Sequence, residues 1–209
     1  MTESIAVIGD VHGNVSALAG LLRITEGRFD QFVLVGDYVN RGLNSAGVIQ
    51  LLIDRLDAGV PLFCIAGNHD HAFLECIDEG KLNAFLRMGG AATINSYIAA
   101  PEPDVLEQVR RSIPSRHVDF LRSLKSHYEE TDLLVTHGPE DAHYGSNAVS
   151  FHVFGHVPQG KAPKLTRSWA AIDTGCGMTP EGRLTCLVWP TSEIIQVDFE
   201  GREVRPNAT

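Results

Sequence analysis

Several features are scarce or missing in this chain of 209 residues, and each absence removes a class of function. No apolar run approaches the roughly 20 residues that a helical membrane span requires, so no membrane partner is expected. The start, MTESIAVIGD, has no basic segment followed by a long apolar core, and so it does not read as a secretory signal. Cysteine is limited to Cys64, Cys76, Cys176 and Cys186, with no C-x-x-C pair. Two of the four lie in apolar stretches (PLFCIAG and LTCLVWP), the pattern of buried thiols in a reducing, cytoplasmic setting rather than of a disulfide framework. There is no Lys/Arg cluster, and the net charge is −9, so little is available to displace counterions from a nucleic-acid polymer.

Catalytic signatures of other kinds are also missing. No C-x5-R pattern supports a cysteine phosphatase, and no G-x-S-x-G elbow supports a serine hydrolase. Gly155 to Lys161 spells the start of a P-loop, G-x-x-x-x-G-K. However, Ala162 replaces the Ser/Thr that would hold Mg²⁺, and Pro158 and Pro163 oppose the loop-to-helix geometry. Composition is that of an ordinary globular protein, 44% hydrophobic and 21% charged, which sets disorder aside. The length suits a single domain over residues 1–209.

What is present is a chain of strands alternating with helices. Short apolar runs at 4–8 (SIAVI), 32–35 (FVLV) and 61–66 (PLFCIA) predict strands. Between them, apolar spacing predicts helices starting near Val15, Leu43 and Asp70. Such alternation implies a parallel sheet with right-handed crossovers. From Lys81 to about His127 the chain reads as helical, interrupted at Gly89-Gly90 and at 100–103 (APEP). Strands return at 132–136, 150–154, 168–173, 183–189 and 193–199, the last two as a hairpin. The expected fold class is mixed α/β: two sheets sandwiched together and flanked by helices.

Five of the predicted strands run directly into a Gly paired with an Asp, Asn or His. They give Gly9-Asp10-Val11-His12, Gly36-Asp37, Gly67-Asn68-His69, His137-Gly138 and Gly155-His156. Taken singly, each is an ordinary turn former, helix cap or packed histidine. Repeated five times, the arrangement points to convergence, because ligands gather outside the carboxyl ends of strands in open α/β sheets. Several strands of one sheet are expected to aim these side chains at one place. Two carboxylates, one amide oxygen and three imidazoles suit Mn²⁺, Fe or Zn²⁺, whereas Mg²⁺ and Ca²⁺ prefer all-oxygen sets. Asp37 is the expected bridge, since one carboxylate can hold two cations about 3.5–4 Å apart. His71, His117, His127, His143 and His152 lack this context and read as surface or packing residues.

The blocks GDVHG, GDYVNRG, GNHD, THGP, FGHVP and IDTGCGM, spread over residues 9 to about 178, resemble the phosphoprotein phosphatase branch of the calcineurin-like metallophosphoesterases. Bacterial and bacteriophage members, with the diadenosine tetraphosphatases, are the most similar, and GGAATINSY (89–97) is similar to a segment they carry. The resemblance implies a four-layer double β-sandwich with outer helices. It implies a first divalent cation on Asp10, His12 and Asp37, and a second on Asp37, Asn68, His137 and His156, with Mn²⁺ as the expected metal. His69 would be the general acid, Arg41 a phosphate clamp, and Asn68 would also face the substrate. Metal-bound hydroxide would attack phosphorus directly. Two cations, two carboxylates and that hydroxide sum to roughly +1, enough to draw a phosphate dianion to an acidic chain.

Two departures from the family pattern stand out. Asn40 occupies the place of an Asp that pairs with the catalytic histidine, and it is expected to accept a hydrogen bond from His69. No arginine lies between His137 and His156, where larger members carry a second clamp, which leaves Lys161, Lys164 or Arg167 as substitutes. The expected activity is phosphate monoester hydrolysis of the protein Ser/Thr phosphatase type, on phosphoproteins. Alternatives are hydrolysis of nucleotides of the dinucleoside polyphosphate kind, and a weakly active metal-containing binding protein.

Overall fold

Along β1 (Ile5–Ile8) the side chains alternate between two apolar cores. Ala6 and Ile8 point into one, and Ile5 and Val7 into the other. That two-residue period places a sheet between two packing layers. The computed structural model describes residues 4–204. Residues 1–3 and 205–209, which the single-domain expectation also takes in, lie outside the described residues.

The first sheet continues with β2 (Gln31–Leu34) and β3 (Leu62–Cys64), both parallel to their neighbours in the order β1, β2, β3. The predicted helices lie between these strands as α1 (Val15–Thr25) and α2 (Ser45–Asp57). Asn14 and Asn44 start them, their side chains accepting from Ala17 N and Gly47 N at 3.0 and 2.8 Å. The second helix thus begins two residues after Leu43, which is left 82% exposed. Next comes α3 (Asn68–Glu79), which starts two residues before Asp70 and so carries Asn68 and His69 in its first turn.

The helical stretch that follows holds α4 (Leu82–Arg87), α5 (Ala91–Tyr97), α6 (Val105–Ser112) and α7 (Ser115–Ser123), divided at Gly89-Gly90 and at 100–103. Phe85, Ile94, Val109 and Phe120 from these helices, with Phe73 of α3, join Ala6, Ile8 and Leu34 in the first core.

A second sheet is built from β4 (His127–Glu130), β5 (Leu133–Thr136), β6 (Phe151–Phe154), β7 (Lys164–Leu165) and β8 (Trp169–Ala171), in the order β4-β5-β6-β8-β7. Its inner face supplies Leu133, Val135, Phe151, Val153 and Ala170 to the core shared with the first sheet. The chain then returns to the first sheet as the hairpin β9 (Leu184–Trp189) and β10 (Glu193–Val197), antiparallel to one another, with β9 antiparallel to β1. The architecture is two mixed sheets flanked by helices. All four cysteines are buried and unpaired.

Three elements were not expected from the sequence. His-Tyr-Glu-Glu in β4 has no apolar alternation, and it becomes a strand by pairing with β5, from His127 opposite Thr136 to Glu130 opposite Leu133. Two exposed residues form β7 against β8. A 3-10 turn, Pro139–Tyr144, follows β5. Each owes its form to pairing with the next strand along the chain or to a local turn rather than to hydrophobic period.

Candidate metal centre

The singled-out side chains converge, but from both sheets rather than one. Asp10 and His12 follow β1, and Asp37, Asn40 and Arg41 follow β2, while Asn68 and His69 open α3 after β3. His137 follows β5 and His156 follows β6, across the sandwich. The expectation of a single sheet rim is therefore corrected: the shared inner core brings the carboxyl ends of two sheets together.

Backbone strain is concentrated here. His12, Asp37, Asn40, Arg41 and His156 have φ between 45° and 70°, the left-handed region that side chains avoid. Among the described residues the only other non-glycine examples are Thr131 and Ser192. The surrounding fold must hold these conformations, since each costs on the order of 1–3 kcal/mol.

Asp37, 2% exposed, turns its two oxygens to different imidazoles. Oδ2 lies 3.6 Å from His12 Nε2 and 3.9 Å from His69 Nε2, whereas Oδ1 lies 3.5 Å from His137 Nε2. Asn68 Oδ1 sits 2.9 Å from His137 Nε2 and 3.0 Å from His156 Nδ1. Two sets of donors, His12/Asp37/His69 and Asp37/His137/His156, each bring their ligand atoms within 4.8 Å of one another, sharing Asp37.

Hydrogen bonds on the far side of the rings fix which nitrogen faces the centre. His12 Nδ1 is 3.1 Å from Val39 O, and His137 Nδ1 is 3.1 Å from Val35 O. A carbonyl only accepts, so each Nδ1 carries the proton and each Nε2 presents a lone pair. His137 Nε2 and Asn68 Oδ1 therefore face each other as two acceptors, and a cation placed between them resolves the clash. The donor set fits a pair of divalent ions.

Electrostatics agree. Burial, and then the carboxylate of Asp173, hold Asp10 well above the usual carboxyl range. Burial, and then Asp10, do the same to Asp37. Burial lowers His12 to about 4, and His69 and His137 to about 3, which keeps the rings neutral. Burial first, and neighbouring carboxylates second, raise the carboxyls, and neutral imidazole is what a metal binds.

Asp10 joins neither donor set. Its carboxylate oxygens accept the His156 N–H at 3.2 and 3.1 Å. Arg41 is exposed, close enough to His12 and His69 to oppose their protonation, and paired with no carboxylate among the described residues. Of the candidate second clamps, Lys164 rests over the Trp169 ring at 5.4 Å, Arg167 is exposed, and Lys161 lines a cavity of about 370 Å³ with Pro158, Thr174 and Met178.

Asn40 and His69 meet, with roles opposite to those expected. Asn40 Nδ2 lies 2.6 Å from His69 Nδ1 and 3.4 Å from Met88 O, while Asn40 Oδ1 accepts from Thr93 Oγ1 at 2.8 Å. The amide donates to the ring rather than accepting from it, because Met88 O on the same side can only accept.

Sequence reasoning passed over three contributors. Asp70 accepts from the N–H groups of Asp37, Tyr38 and Gly67. Asp173, 1% exposed, follows β8 and accepts from Gly175 N at 2.9 Å. Thr93 steers Asn40. Asp173 repeats the strand–polar–Gly signal and could have been found by it.

Comparison with known proteins places this geometry. The calcineurin-like phosphoesterase family matches residues 3–160. The chain belongs to that family. Among its relatives, a symmetrical bis(5'-nucleosyl)-tetraphosphatase of Pseudomonas syringae pv. tomato is 30% identical over 125 residues, covering 58% of this chain and 38% of that one. Serine/threonine-protein phosphatase 2 of Escherichia coli K12 is 34% identical over 87 residues, covering 40% of this chain and 37% of that one. The chain thus spans well under half the length of these curated relatives. A cold-active protein-tyrosine phosphatase of a Shewanella species shares the fold, with a TM-score of 0.65 at 16% identity, covering 97% of this chain and 80% of that structure. As a calcineurin-like phosphoesterase the chain carries a site fitted to divalent metals. Among the described residues no helix is long and apolar enough to cross a membrane.

Proposed function

We propose that this calcineurin-like phosphoesterase hydrolyses phosphate esters with two divalent cations bound between its sheets. The observation that carries the reading is Asp37, whose Oδ1 faces His137 Nε2 at 3.5 Å and whose Oδ2 faces His12 Nε2 at 3.6 Å. One cation would lie on the side of His12 and Asp10, the other among Asn68, His137 and His156, with Asp37 between. When bound, the pair supplies Lewis acidity and lowers the pKa of water towards about 7. The mixed oxygen and imidazole set favours Mn²⁺, with Fe or Zn²⁺ as alternatives.

The chain's own residues orient the rest. Arg41 binds the equatorial phosphate oxygens through its unpaired guanidinium. His69, 7% exposed at the N-terminal turn of α3, presents Nε2 to the leaving oxygen. Val35 and Val39 hold the ligand histidines through their carbonyls, and Asp70 holds the turn that carries Asp37.

The motifs favour phosphoproteins as substrates, in the manner of Ser/Thr phosphatases. The Asn40 amide facing His69 favours a second reading, phosphoanhydrides such as dinucleoside polyphosphates. Buried free thiols fit a cytoplasmic location. The test is an assay of the Mn²⁺-loaded protein on p-nitrophenyl phosphate, bis-p-nitrophenyl phosphate, a phosphoserine peptide and diadenosine tetraphosphate. Turnover of the peptide supports the first reading and turnover of the dinucleotide the second. Silence on all four, persisting in Asn40→Asp, identifies a metal-containing binding protein instead.

A further inference from the structure

A cavity of about 370 Å³ lies between the loop after β6, which contributes Pro158, Gly160 and Lys161, and the loop after β8, which contributes Thr174, Met178 and Glu181. Both loops come straight from the metal centre. Pro158 stands two residues after His156, and Thr174 follows Asp173, whose charge bears on Asp10. Met178 follows Gly177, and a Cβ on that glycine would fall 2.0 Å from the His12 carbonyl oxygen. The Gln159 N–H donates to Asp173 O at 2.9 Å and so ties one loop to the other. The cavity therefore adjoins the place where phosphorus would be attacked, on the side of His12 and His156.

Few polar side chains are free in its lining. Thr174 Oγ1 lies 2.7 Å from Arg183 O and 2.6 Å from Thr185 Oγ1. Its one proton goes to the carbonyl, which can only accept, and that leaves the hydroxyl no proton to give an occupant. Pro158 and Met178 are apolar and exposed. Lys161 O accepts from Gln196 Nε2 at 3.0 Å, which holds the Lys161 backbone in place. Its ammonium is exposed, with no carboxylate partner among the described residues. Glu181, on the facing loop, repels an anion beside it, so negative charge in the cavity settles towards Lys161. Of the other cations considered, Lys164 lies over Trp169 at 5.4 Å, at the end of β8 away from Asp173.

We propose that this cavity is the leaving-group subsite, and that Lys161 makes it selective for leaving groups that carry a negative charge of their own on an apolar body. Its part in turnover rests on the phosphoesterase reading above; the binding does not. Hydrolysis joins a water oxygen to phosphorus and breaks the bridging P–O bond, whose electron pair leaves on the bridging oxygen. The attacking water gives up a proton to solvent, or to the departing oxygen where that oxygen is basic. While the phosphoryl group lies at the metal centre, the rest of the substrate extends past Met178 and Pro158, and its own anion reaches the Lys161 ammonium. Two kinds of leaving group have this chemistry: a nucleoside phosphate released from a phosphoanhydride, and an aryl group bearing a sulfonate or carboxylate. A neutral alcohol of the same size fills the apolar part of the cavity but forgoes the charge-assisted contact. Lys161 is thus a specificity-determining residue, a cation supplied beyond His156 where no arginine lies between His137 and His156.

The Met178 methyl group reports the occupant directly. Methionine is limited to Met1, Met88 and Met178, so methyl-labelled methionine in the zinc-loaded, diamagnetic protein gives a simple NMR spectrum, which Met178→Leu assigns. Adenosine monophosphate and p-hydroxybenzenesulfonate are the probes, with adenosine and phenol as their uncharged counterparts. Both anions should shift the Met178 signal with dissociation constants about 10-fold below those of the neutral molecules, the scale of a hydrogen bond to a charged group. Lys161→Gln should abolish that advantage and leave the neutral molecules unchanged. A shift with the nucleotide alone, or with the sulfonate alone, upholds the subsite and names the source of its anion. A Met178 signal that neither anion moves, or an advantage that survives in Lys161→Gln, overturns the subsite. In turnover, the ratio of kcat/KM for p-sulfophenyl phosphate to that for phenyl phosphate should fall by about 10-fold in Lys161→Gln, and further in Lys161→Glu. An unchanged ratio overturns the selectivity. Should neither ester turn over, the phosphoesterase reading fails, and the methyl titration still decides whether the cavity binds.

Discussion

Asp70 sits directly behind Asp37, its Oδ2 accepting the Asp37 N–H at 2.8 Å. The same oxygen accepts Gly67 N at 2.9 Å, and Oδ1 accepts Tyr38 N at 3.0 Å. One fully buried carboxylate therefore ties the turn after β2 to the start of α3, and so sets Asp37 against Asn68. Asp70→Asn keeps the shape but turns an N–H₂ towards backbone N–H groups. Since a hydrogen bond to a charged group contributes about 1.5–3 kcal/mol, the loss should be about 2–4 kcal/mol. Urea denaturation of the metal-free protein measures it, and a change below about 0.5 kcal/mol would mean that Asp70 is not what ties these segments.

The opposed oxygens of Asp37 make a sharper demand. If this carboxylate bridges two cations, Asp37→Ala should remove both together, with kcat/KM lower by about 10³-fold or more, roughly 4 kcal/mol of transition-state stabilisation. Metal content after dialysis and turnover should fall in step. A variant that keeps one tightly bound cation, or full turnover in strong chelator, contradicts the bridge.

The strand–Gly–polar repeat made most of this centre readable in the sequence, because each unit is local: a strand, a turn and a ligand within a few residues. What the repeat could not tell is which sheet each strand joins. That depends on packing between Val33 or Val35 and Val135 or Val153, about a hundred residues apart. Asp70 escaped notice because an acid in the first turn of a helix has a sufficient local explanation as a cap, and its bond to Gly67 N does serve that purpose. Thr93 lies 53 residues from the amide it steers, and nothing near it in sequence says so. The strand β4 was missed for another reason: its pairing with the adjacent β5, not its own pattern, makes it a strand.

Metal binding should release protons, and from carboxyls rather than imidazoles. Burial and mutual repulsion hold Asp10 and Asp37 above the usual carboxyl range, whereas His12 at about 4 and His137 at about 3 are already neutral near pH 6. A raised carboxyl keeps its proton until the pH climbs through its raised value, so at lower pH the cation must displace that proton. Affinity should therefore go on rising with pH above the ordinary carboxyl range of about 4, while the number of protons released declines. Titration calorimetry in two buffers of different ionisation enthalpy reads this directly. Binding without proton exchange at about pH 5, just above the ordinary carboxyl range, would show that neither carboxyl is held above that range.

Arg41 has an exposed guanidinium with no carboxylate partner among the described residues, at a backbone φ of 67°. Its removal should cost binding and turnover rather than folding. Arg41→Ala is expected to lower kcat/KM by about 10²–10³-fold with stability within about 0.5 kcal/mol of the parent. Arg41→Lys should recover part of the loss, since a point charge replaces a bidentate fork. Equal activity in all three proteins would place the phosphate elsewhere, with Lys161 the next residue to replace.

Gly67 tests the geometry without touching any ligand atom. Its backbone, at φ −95° and ψ 171°, suits any residue, so a substitution meets only crowding. A Cβ there would fall 2.0 Å from Asp37 Oδ1 and 2.4 Å from Asp37 N. Gly67→Ala must therefore push the carboxylate or its turn aside, and metal affinity should fall by about 10–100-fold, as when the support of a ligand is disturbed. Gly59 is the counterpart: a Cβ meets nothing within 4 Å, but φ is 76°. Gly59→Ala should cost about 1–2 kcal/mol of stability through backbone strain and leave metal affinity alone. Calorimetric metal binding beside thermal unfolding of both variants separates the two effects. If Gly67→Ala bound metal as tightly as the parent protein, the position of Asp37 Oδ1 would not matter to the cations, and Asp37 could not be the residue that joins them.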